Sequence, residues 1–241
     1  MCVIFISYNQ RSDFPLILAA NRDEFYNRPT APAAYWEDFP FVYGGRDLVA
    51  KGTWLGVTDS GRFAAVTNYR DMSQPKGIRS RGDLVADFLQ TDTPTPEYME
   101  LIESRKDEYT GFNLIAGEIN REVKELYYYS NRLDSPQRLE EGLYGISNHL
   151  LDTHWPKVVR GKSQFGQIIS ANEIEKDLLF ELLADKSIAP DEDLPDTGVG
   201  LERERLLSPI FIETPIYGTR SSTVLTIDGG FRPVLDEKVF R

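Results

Sequence analysis

Short hydrophobic runs separated by turn residues predict β-hairpins in the first seventy residues. The alternating segment Cys2–Tyr8 predicts a strand, and the turn-rich sequence after it leads to a second apolar run at residues 16–20. A clearer hairpin follows, in which residues 53–57 and 63–67 flank the turn signal Asp59-Ser60-Gly61. The chain therefore opens with strands, and the first of them begins at residue 2.

Helical spacing replaces this alternation after residue 80. Ser80 can cap a helix whose Leu84, Val85, Phe88 and Leu89 fall on one face. Thr95-Pro96 predicts the start of a second helix, and two further helices are predicted over residues 154–169 and 172–185. These segments can cover the faces of a sheet.

Strand patterns return between and after the helices. Residues 111–119 and 123–130 predict a hairpin, residues 143–147 a short strand, and residues 219–228 and 231–235 a last hairpin around Gly229-Gly230. The acidic, proline-containing stretch 189–198 is typical of an exposed loop. Strands, helices and strands in this order predict an α/β (α+β) protein with two sheets and helices packed outside them.

Composition and charge narrow the function classes. The 241 residues are 41% hydrophobic, with no linker or repeat, which predicts a single domain over residues 1–241. A net charge of -11 argues against nucleic acid as a partner. The apolar stretch at the N-terminus is too short for a signal peptide or a membrane span, so we expect no membrane insertion and a cytoplasmic location.

Metal and phosphate sites have little support in the sequence. His149 and His154 are the only histidines, and five residues apart on a helix they would point away from each other. We therefore predict no metal site and no cofactor. The glycines at positions 44, 45 and 52 match no phosphate-binding pattern, and turn formation is the interpretation we prefer for them.

Cys2 is the most informative single residue. Residue 2 is small, so removal of Met1 is expected to expose a free α-amine beside the thiol. The amine titrates near about 7.7 to 8.0 and a thiol near about 8.5, so the amine can accept the thiol proton without a histidine. The alternative is a buried structural cysteine at the start of a strand.

A charged motif, Asn21-Arg22-Asp23-Glu24, stands at the end of the second predicted strand. A carboxylate near the α-amine favours its protonated form, and an arginine near the thiol favours the thiolate. Arg22 and Asp23 are therefore predicted to serve the Cys2 site. The alternative is an ordinary salt-bridged strand end, and which of the two charges faces Cys2 stays open.

The motif and its surroundings resemble a known family. The segment AANRDEFYNRPTAPA, GGRDLVAKGTWLGV, TNYRD, GFNL, YGISN and YGTRSST together look like the NRDE family, also called transport and Golgi organisation 2. The resemblance spans nearly the whole chain. It implies an N-terminal-nucleophile (Ntn) hydrolase-like sandwich of four layers, αββα, with two antiparallel sheets and the nucleophile on the first strand.

A more distant likeness to bile-salt hydrolases and penicillin V acylases implies further site residues. By that likeness the strand-end asparagines Asn68 and Asn148 would supply an oxyanion hole, through a backbone N–H and a side-chain amide respectively. Turn geometry is the alternative role for both. Asn21 and Arg220 are predicted to bind substrate, and Arg220 could instead only flank a strand.

Two functions of different class follow from these residues. The first is a cysteine Ntn amidohydrolase acting on a non-peptide or small acyl-amide bond through an acyl-thioester on Cys2. The second is a non-enzymatic carrier of a small molecule, since the family resemblance implies haem or lipid handling. A fold relic with neither activity is a weaker third possibility. In each of the first two cases the partner is a small molecule, and the oligomeric state is left open.

Overall fold

Two antiparallel sheets form the centre of the protein in a computed structural model, which describes residues 2–73 and 76–241. The first sheet has five strands in the order β10-β1-β2-β11-β12, numbered along the chain. They are β1 (Cys2–Tyr8), β2 (Leu16–Phe25), β10 (Gly142–Ile146), β11 (Tyr217–Ile227) and β12 (Pro233–Val239). The N-terminal strand therefore lies inside this sheet, between β10 and β2.

The second sheet has seven strands in chain order, β3 to β9. They are β3 (Thr30–Tyr35), β4 (Val42–Asp47), β5 (Leu55–Thr58), β6 (Arg62–Asn68), β7 (Phe112–Ile119), β8 (Lys124–Ser130) and β9 (Gln137–Arg138). Most neighbouring strands in this up-and-down order are joined by short connections, whereas the long segment 69–111 separates β6 from β7.

Helices cover the outer faces of both sheets. They are α1 (Arg81–Gln90), α2 (Thr95–Ser104), α3 (Pro156–Ile169), α4 (Lys176–Leu183) and α5 (Leu201–Leu207). Helices α1 and α2 pack on the seven-stranded sheet, while α3 and α4 pack on the five-stranded sheet. The predicted four-layer αββα sandwich is confirmed. Within residues 2–73 and 76–241, no helix combines the length and apolar character needed to span a membrane.

The burial pattern of β1 explains why this strand is apolar on both faces. Ile4 and Ile6 face the core between the two sheets, and Val3 and Phe5 face the core under α3 and α4. Successive side chains of a strand point to opposite faces, so a strand inside a four-layer sandwich needs apolar residues at every position. The same alternation decides which strand-end residues face the functional site.

The N-terminal part of the chain contains more strand than predicted. Strand β2 runs five residues past the predicted end and includes the whole Asn21-Arg22-Asp23-Glu24 motif. Strands β3 and β4 were not predicted, and our turn interpretation of the glycines at 44 and 45 is wrong, because both lie inside β4. A Cβ at Gly44 would approach the Leu55 carbonyl oxygen to 2.8 Å. Glycine is used there for close strand approach.

The first four helices lie close to their predicted positions. Ser80 caps α1 as predicted, with its hydroxyl accepting a hydrogen bond from the Gly82 backbone N–H at 3.2 Å. Helix α4 is shorter than the predicted segment 172–185, and α5 was not predicted. The loop 189–198 contains a single 3₁₀ turn at Asp191–Asp193. None of these differences affects the strands around Cys2.

Candidate functional site

A cleft of about 430 Å³ opens where β1 begins. Its walls come from both sheets and from the start of α1, and they include Cys2, Arg22, Trp54 and Asn68. Cys2 is half-buried and unpaired. The single cysteine of the chain is thus placed at the wall of a cavity where a small ligand can reach it.

Strand register determines which motif residue stands beside Cys2. Cys2 lies directly opposite Arg22 in the antiparallel β1–β2 pair, and directly opposed residues present their side chains on the same face. The Arg22 guanidinium lies over the Trp54 ring at 4.0 Å from the ring centroid. Arg22 therefore lies on the same face of the sheet as Cys2. Of the two charged residues in question, Arg22 is the one whose side chain shares the face of the thiol.

Asp23 occupies the opposite side of β2. Its Oδ1 accepts a hydrogen bond from the Thr219 hydroxyl at 2.7 Å, and its side chain is buried. Burial raises the pKa of this carboxyl, while the Thr219 hydroxyl and the charge of Lys157 lower it. This carboxylate, which also lines the cleft, is in this way held by polar partners.

Lys157 is the cation behind Asp23, on the first turn of α3. It is 2% exposed, and its Nζ donates a hydrogen bond to the Leu207 carbonyl at 2.9 Å. Burial lowers the pKa of Lys157 to about 8, although Asp23 and Cys2 oppose that shift. Nothing in the sequence pattern singled out this lysine, because it lies more than a hundred residues from the motif.

The burial of Cys2 favours the neutral form of its thiol. Burial raises its pKa, and the charge of Asp23 raises it as well, whereas the Asp23 backbone N–H and Arg22 lower it. Arg22 and the Asp23 backbone N–H favour the predicted thiolate, and burial opposes it. A neutral thiol needs a base before it can act as a nucleophile.

The two predicted oxyanion-hole asparagines are joined to each other. The Asn148 Nδ2 donates a hydrogen bond to the Asn68 carbonyl at 3.0 Å, and Asn148 itself is fully buried. The neighbouring Ser147 hydroxyl donates to the Cys2 carbonyl at 3.0 Å. Asn68 lines the cleft, and Asn148 lies behind it, so the pair ties the end of β6 to the strand that flanks Cys2.

The two predicted substrate-binding residues do not line this cleft. The Asn21 amide donates to the carbonyls of Leu183 and Ile210 at 2.7 and 2.9 Å, on the face covered by helices. Arg220 is the extra residue of a β-bulge between Thr219 and Ser221. Its guanidinium donates to backbone carbonyls of the segment after β2 and of the C-terminus. Both side chains act here as structural donors.

The cleft residues that the sequence analysis missed include Trp54, Arg28 and Arg81. Trp54 is held by close packing, since a Cβ at Gly45 would lie 2.3 Å from its ring. Arg28 pairs with Asp47 at 2.8 Å. Arg81 begins α1 and donates from Nη1 to the Gly111 carbonyl at 3.2 Å. The pair Gly44-Gly45 in GGRD was the sequence signal that could have indicated a bulky neighbour such as Trp54.

Comparison with known proteins identifies the family. The family model described as "Transport and Golgi organisation 2" matches residues 1–239. The chain belongs to the transport and Golgi organisation 2 family. The Transport and Golgi organization 2 homolog of Mus musculus is 34% identical over 255 residues, which cover 99% of this chain and 92% of the mouse protein. The Bos taurus homolog is 36% identical over 245 residues, covering 95% and 89%.

This transport and Golgi organisation 2 protein has the Ntn-hydrolase fold. The Caenorhabditis elegans N-acylethanolamine-hydrolyzing acid amidase ortholog superposes over the full length of both chains with a TM-score of 0.57 and 11% identity. At that identity the likeness concerns the fold alone. Cys2 lies on the first strand, which is where the sequence resemblance implied that the nucleophile would be.

Metal-ligating side chains are not grouped together in the described part of the chain. Across residues 2–73 and 76–241, no three His, Cys, Asp or Glu side chains are grouped to hold a metal ion. His149 instead bridges the Tyr69 and Thr153 hydroxyls, with ring nitrogens 2.9 Å from each. The predicted removal of Met1 concerns a residue outside the described ranges and stays a prediction.

Proposed function

We propose that this protein is a cysteine N-terminal-nucleophile amidohydrolase that cleaves a small acyl-amide bond. The observation that carries the proposal is the pairing of Cys2 with Arg22 on one wall of a cleft of about 430 Å³. A cavity of that volume suits a small molecule better than a folded protein substrate. The proposed location is the cytoplasm, where a single thiol stays reduced.

The reaction begins once Met1 has been removed and Cys2 carries the α-amine. The neutral amine accepts the thiol proton, and the sulfur attacks the amide carbonyl carbon to give a tetrahedral oxyanion. The resulting ammonium then protonates the leaving nitrogen as the C–N bond breaks, which leaves an acyl-thioester on Cys2. Water attacks the thioester with the amine again as base, releasing the carboxylic acid and the free cysteine.

The surrounding residues fit these steps. Burial that raises the pKa of the Cys2 thiol also disfavours a charged amine, so thiol and amine can both rest neutral before attack. Arg22 stabilises the thiolate as it forms. We assign the oxyanion to the end of β6, where Asn68 lines the cleft and Asn148 holds the Asn68 carbonyl.

The fold adds independent support for amide chemistry. The C. elegans protein of the same fold is named for hydrolysing N-acylethanolamines, which are linear amides. Fold alone does not transfer a substrate, so the proposal stops at the class of bond cleaved.

A carrier function is the alternative, and one observation favours it. Two exposed apolar side chains stand on the cleft wall, Val49 with 58% and Ile78 with 88% of its surface accessible. Apolar groups at the mouth of a cleft suit a ligand with a hydrocarbon or macrocyclic part, such as a lipid or haem. The experiment below separates the two functions.

The test compares wild-type protein with Cys2→Ala and Cys2→Ser in hydrolysis of a panel of N-acyl amides. Cys2→Ala should abolish turnover, while its melting temperature stays close to that of the wild type because the half-buried thiol fills little core volume. Cys2→Ser should keep substrate binding and lose most turnover, since the hydroxyl is a poorer nucleophile at neutral pH.

Wild-type turnover by the Cys2→Ala protein would exclude the nucleophile. Saturable haem or lipid binding by all three proteins, without hydrolysis of any amide by the wild type, would support the carrier instead. A large loss of stability in Cys2→Ala, with activity falling only as far as folding does, would indicate a structural cysteine.

A further inference from the structure

The cleft beside Cys2 has more cationic than anionic groups on its walls, although the whole chain carries a net charge of -11. Five basic residues line it: Arg22, Arg28, Lys76, Arg79 and Arg81. Three acidic residues do so: Asp23, Glu24 and Asp47. A local excess of positive charge in an acidic protein suggests recognition of an anion.

Two of these arginines are neutralised by the protein. Arg28 pairs with Asp47 at 2.8 Å, and Arg79 pairs with Asp87 at 2.8 Å. Their charges are compensated by nearby carboxylates, so neither is available at full strength to a ligand. They provide internal controls for the remaining cations.

Arg22 is different, because its buried guanidinium forms no direct ion pair in the described residues, although Glu24 and Asp47 are near enough to favour its charge. It is 6% exposed, and within residues 2–73 and 76–241 it has neither a hydrogen bond to a protein acceptor nor an ion pair within 4 Å. Stacking on Trp54 satisfies one face of the guanidinium and leaves its in-plane N–H donors without protein acceptors. A buried arginine in this state calls for an acceptor from a ligand.

Arg81 lines the same cleft from the start of α1. Its backbone is held where α1 meets the loop before β5, with the Gly82 carbonyl accepting from the Thr53 N–H at 3.2 Å. Burial lowers the pKa of Arg81, and its interaction with Cys2 raises it, as is also true of Arg22. One donor of Arg81 is used by the Gly111 carbonyl. Within the described ranges no carboxylate forms an ion pair with it.

We propose that Arg22 and Arg81 together form an anion subsite beside Cys2, which binds a carboxylate or phosphate group of an N-acyl amine substrate. Two guanidiniums from different walls can grip one oxyanion group with paired N–H donors. Glu24 is the acidic residue on this wall that has no ion pair in the described structure, and it disfavours an anion placed near it. The carboxylate or phosphate of the ligand is therefore assigned to the Arg22 and Arg81 guanidiniums. The substrate assignment rests on the proposed hydrolase function, but binding does not.

The test measures dissociation constants on the Cys2→Ala protein, so that no probe is consumed. Two pairs each match an anionic probe with a neutral partner of the same acyl chain: N-octanoylglycine against N-octanoylglycinamide, and N-octanoyl-O-phosphoethanolamine against N-octanoylethanolamine, which lacks the phosphate. At least one anionic member should bind at least about tenfold more tightly than its neutral partner, as expected for charge-assisted hydrogen bonds. The pair with the larger ratio identifies the carboxylate or the phosphate as the preferred group.

Variants of Arg81 test its part in this preference. Arg81→Gln should remove most of the preference for the anion and leave the neutral probes unchanged, and Arg81→Lys should keep part of it. Arg79→Gln is the matched control, because Arg79 lines the same cleft but is already paired. It should change the ratio by less than about twofold. Melting temperatures confirm that each variant is folded.

Equal affinity within both pairs, or no saturable binding of either anion at millimolar concentrations, would overturn the subsite. The same holds if Arg79→Gln and Arg81→Gln change the ratio equally. Because the assay measures binding without turnover, an anion preference can survive failure of the hydrolase proposal. Conversely, hydrolysis by the wild type without any preference for an anion would contradict the anion subsite and leave the hydrolase proposal standing.

Discussion

Two buried arginines stack on aromatic rings in this protein, at different parts of the sandwich. Arg22 lies 4.0 Å from the centroid of Trp54, and Arg62 lies 4.2 Å from that of Phe88. They are 6% and 5% exposed. Stacking and burial are thus nearly the same, and the two residues differ in what their N–H donors contact.

Arg62 has three acceptors within the protein for its terminal nitrogens, while its buried Nε has no hydrogen-bond partner in the described residues. Its guanidinium bonds Glu118 at 2.9 Å and the carbonyls of Phe88 and Thr93 at 3.3 and 2.8 Å. Arg22 has no comparable acceptors in the described residues, and it lines the cleft beside Cys2. A buried arginine with protein acceptors stabilises the fold, whereas one without them is kept for chemistry or for a ligand.

The largest expected effect is on stability and separates these two roles. Arg62→Met should lower the free energy of unfolding by about 3 to 4 kcal/mol, because it leaves Glu118 and two carbonyls without their donor. Arg22→Met should cost less than about 1 kcal/mol, since it loses only the stacking on Trp54. Chemical denaturation measures both, and equal costs would contradict the comparison.

Lys157 extends the comparison to a buried cation that has a single carbonyl partner. Its pKa is lowered to about 8 from an ordinary value of 10.5, so between these pH values the unfolded chain binds more protons than the folded one. The contribution of Lys157 to stability therefore rises with pH across that window, by on the order of 2 to 3 kcal/mol. Lys157→Met lacks this contribution, so the free energy of unfolding of the wild type should increase relative to that of the variant as the pH rises.

Urea unfolding at several pH values between about 7 and 10.5 tests this sign. Lys162→Met is the control, because Lys162 belongs to the same helix but keeps 32% of its side chain exposed in a pair with Asp152. A stability difference between wild type and Lys157→Met that is constant with pH, or that shrinks, would contradict a lowered pKa.

The smallest expected effect is on the thiol itself. Arg22 lowers the pKa of Cys2, so Arg22→Met should shift the pH profile of iodoacetamide alkylation to higher pH. At a fixed pH below the midpoint, the rate should fall by about two- to fivefold. Arg62→Met should leave the profile unchanged. Identical profiles for Arg22→Met and the wild type would show that the guanidinium does not act on the sulfur.

Short apolar runs between turn signals made much of the fold predictable. β1, the β5–β6 hairpin and the β7–β8 hairpin stand out in this way, and the Ser80 cap marks α1. β3 and β4 escaped because their alanine, proline and glycine residues give a weak strand signal. Gly44 and Gly45 are there for contacts made with β5 and Trp54, which become visible only once the sheet is assembled.

The site was predictable only where its residues stand in one local motif. Cys2 and Arg22 could be placed together because a short hairpin joins their strands. Arg81 and Lys157 reach the same region from distant helices, and no local pattern marks either. Arg220 illustrates a different obstacle, because a β-bulge redirects its side chain away from the position that its place in the strand suggests.

The central claim is that Cys2 attacks a carbonyl in this cleft, and mass spectrometry tests it most directly. Purified protein is incubated with an electrophilic β-lactone, and its intact mass and N-terminal peptide are measured. The account predicts a chain that begins at Cys2 and carries one acyl group on residue 2, with no adduct on Cys2→Ala. A chain that retains Met1 throughout, or an acyl group on any other residue, would contradict it.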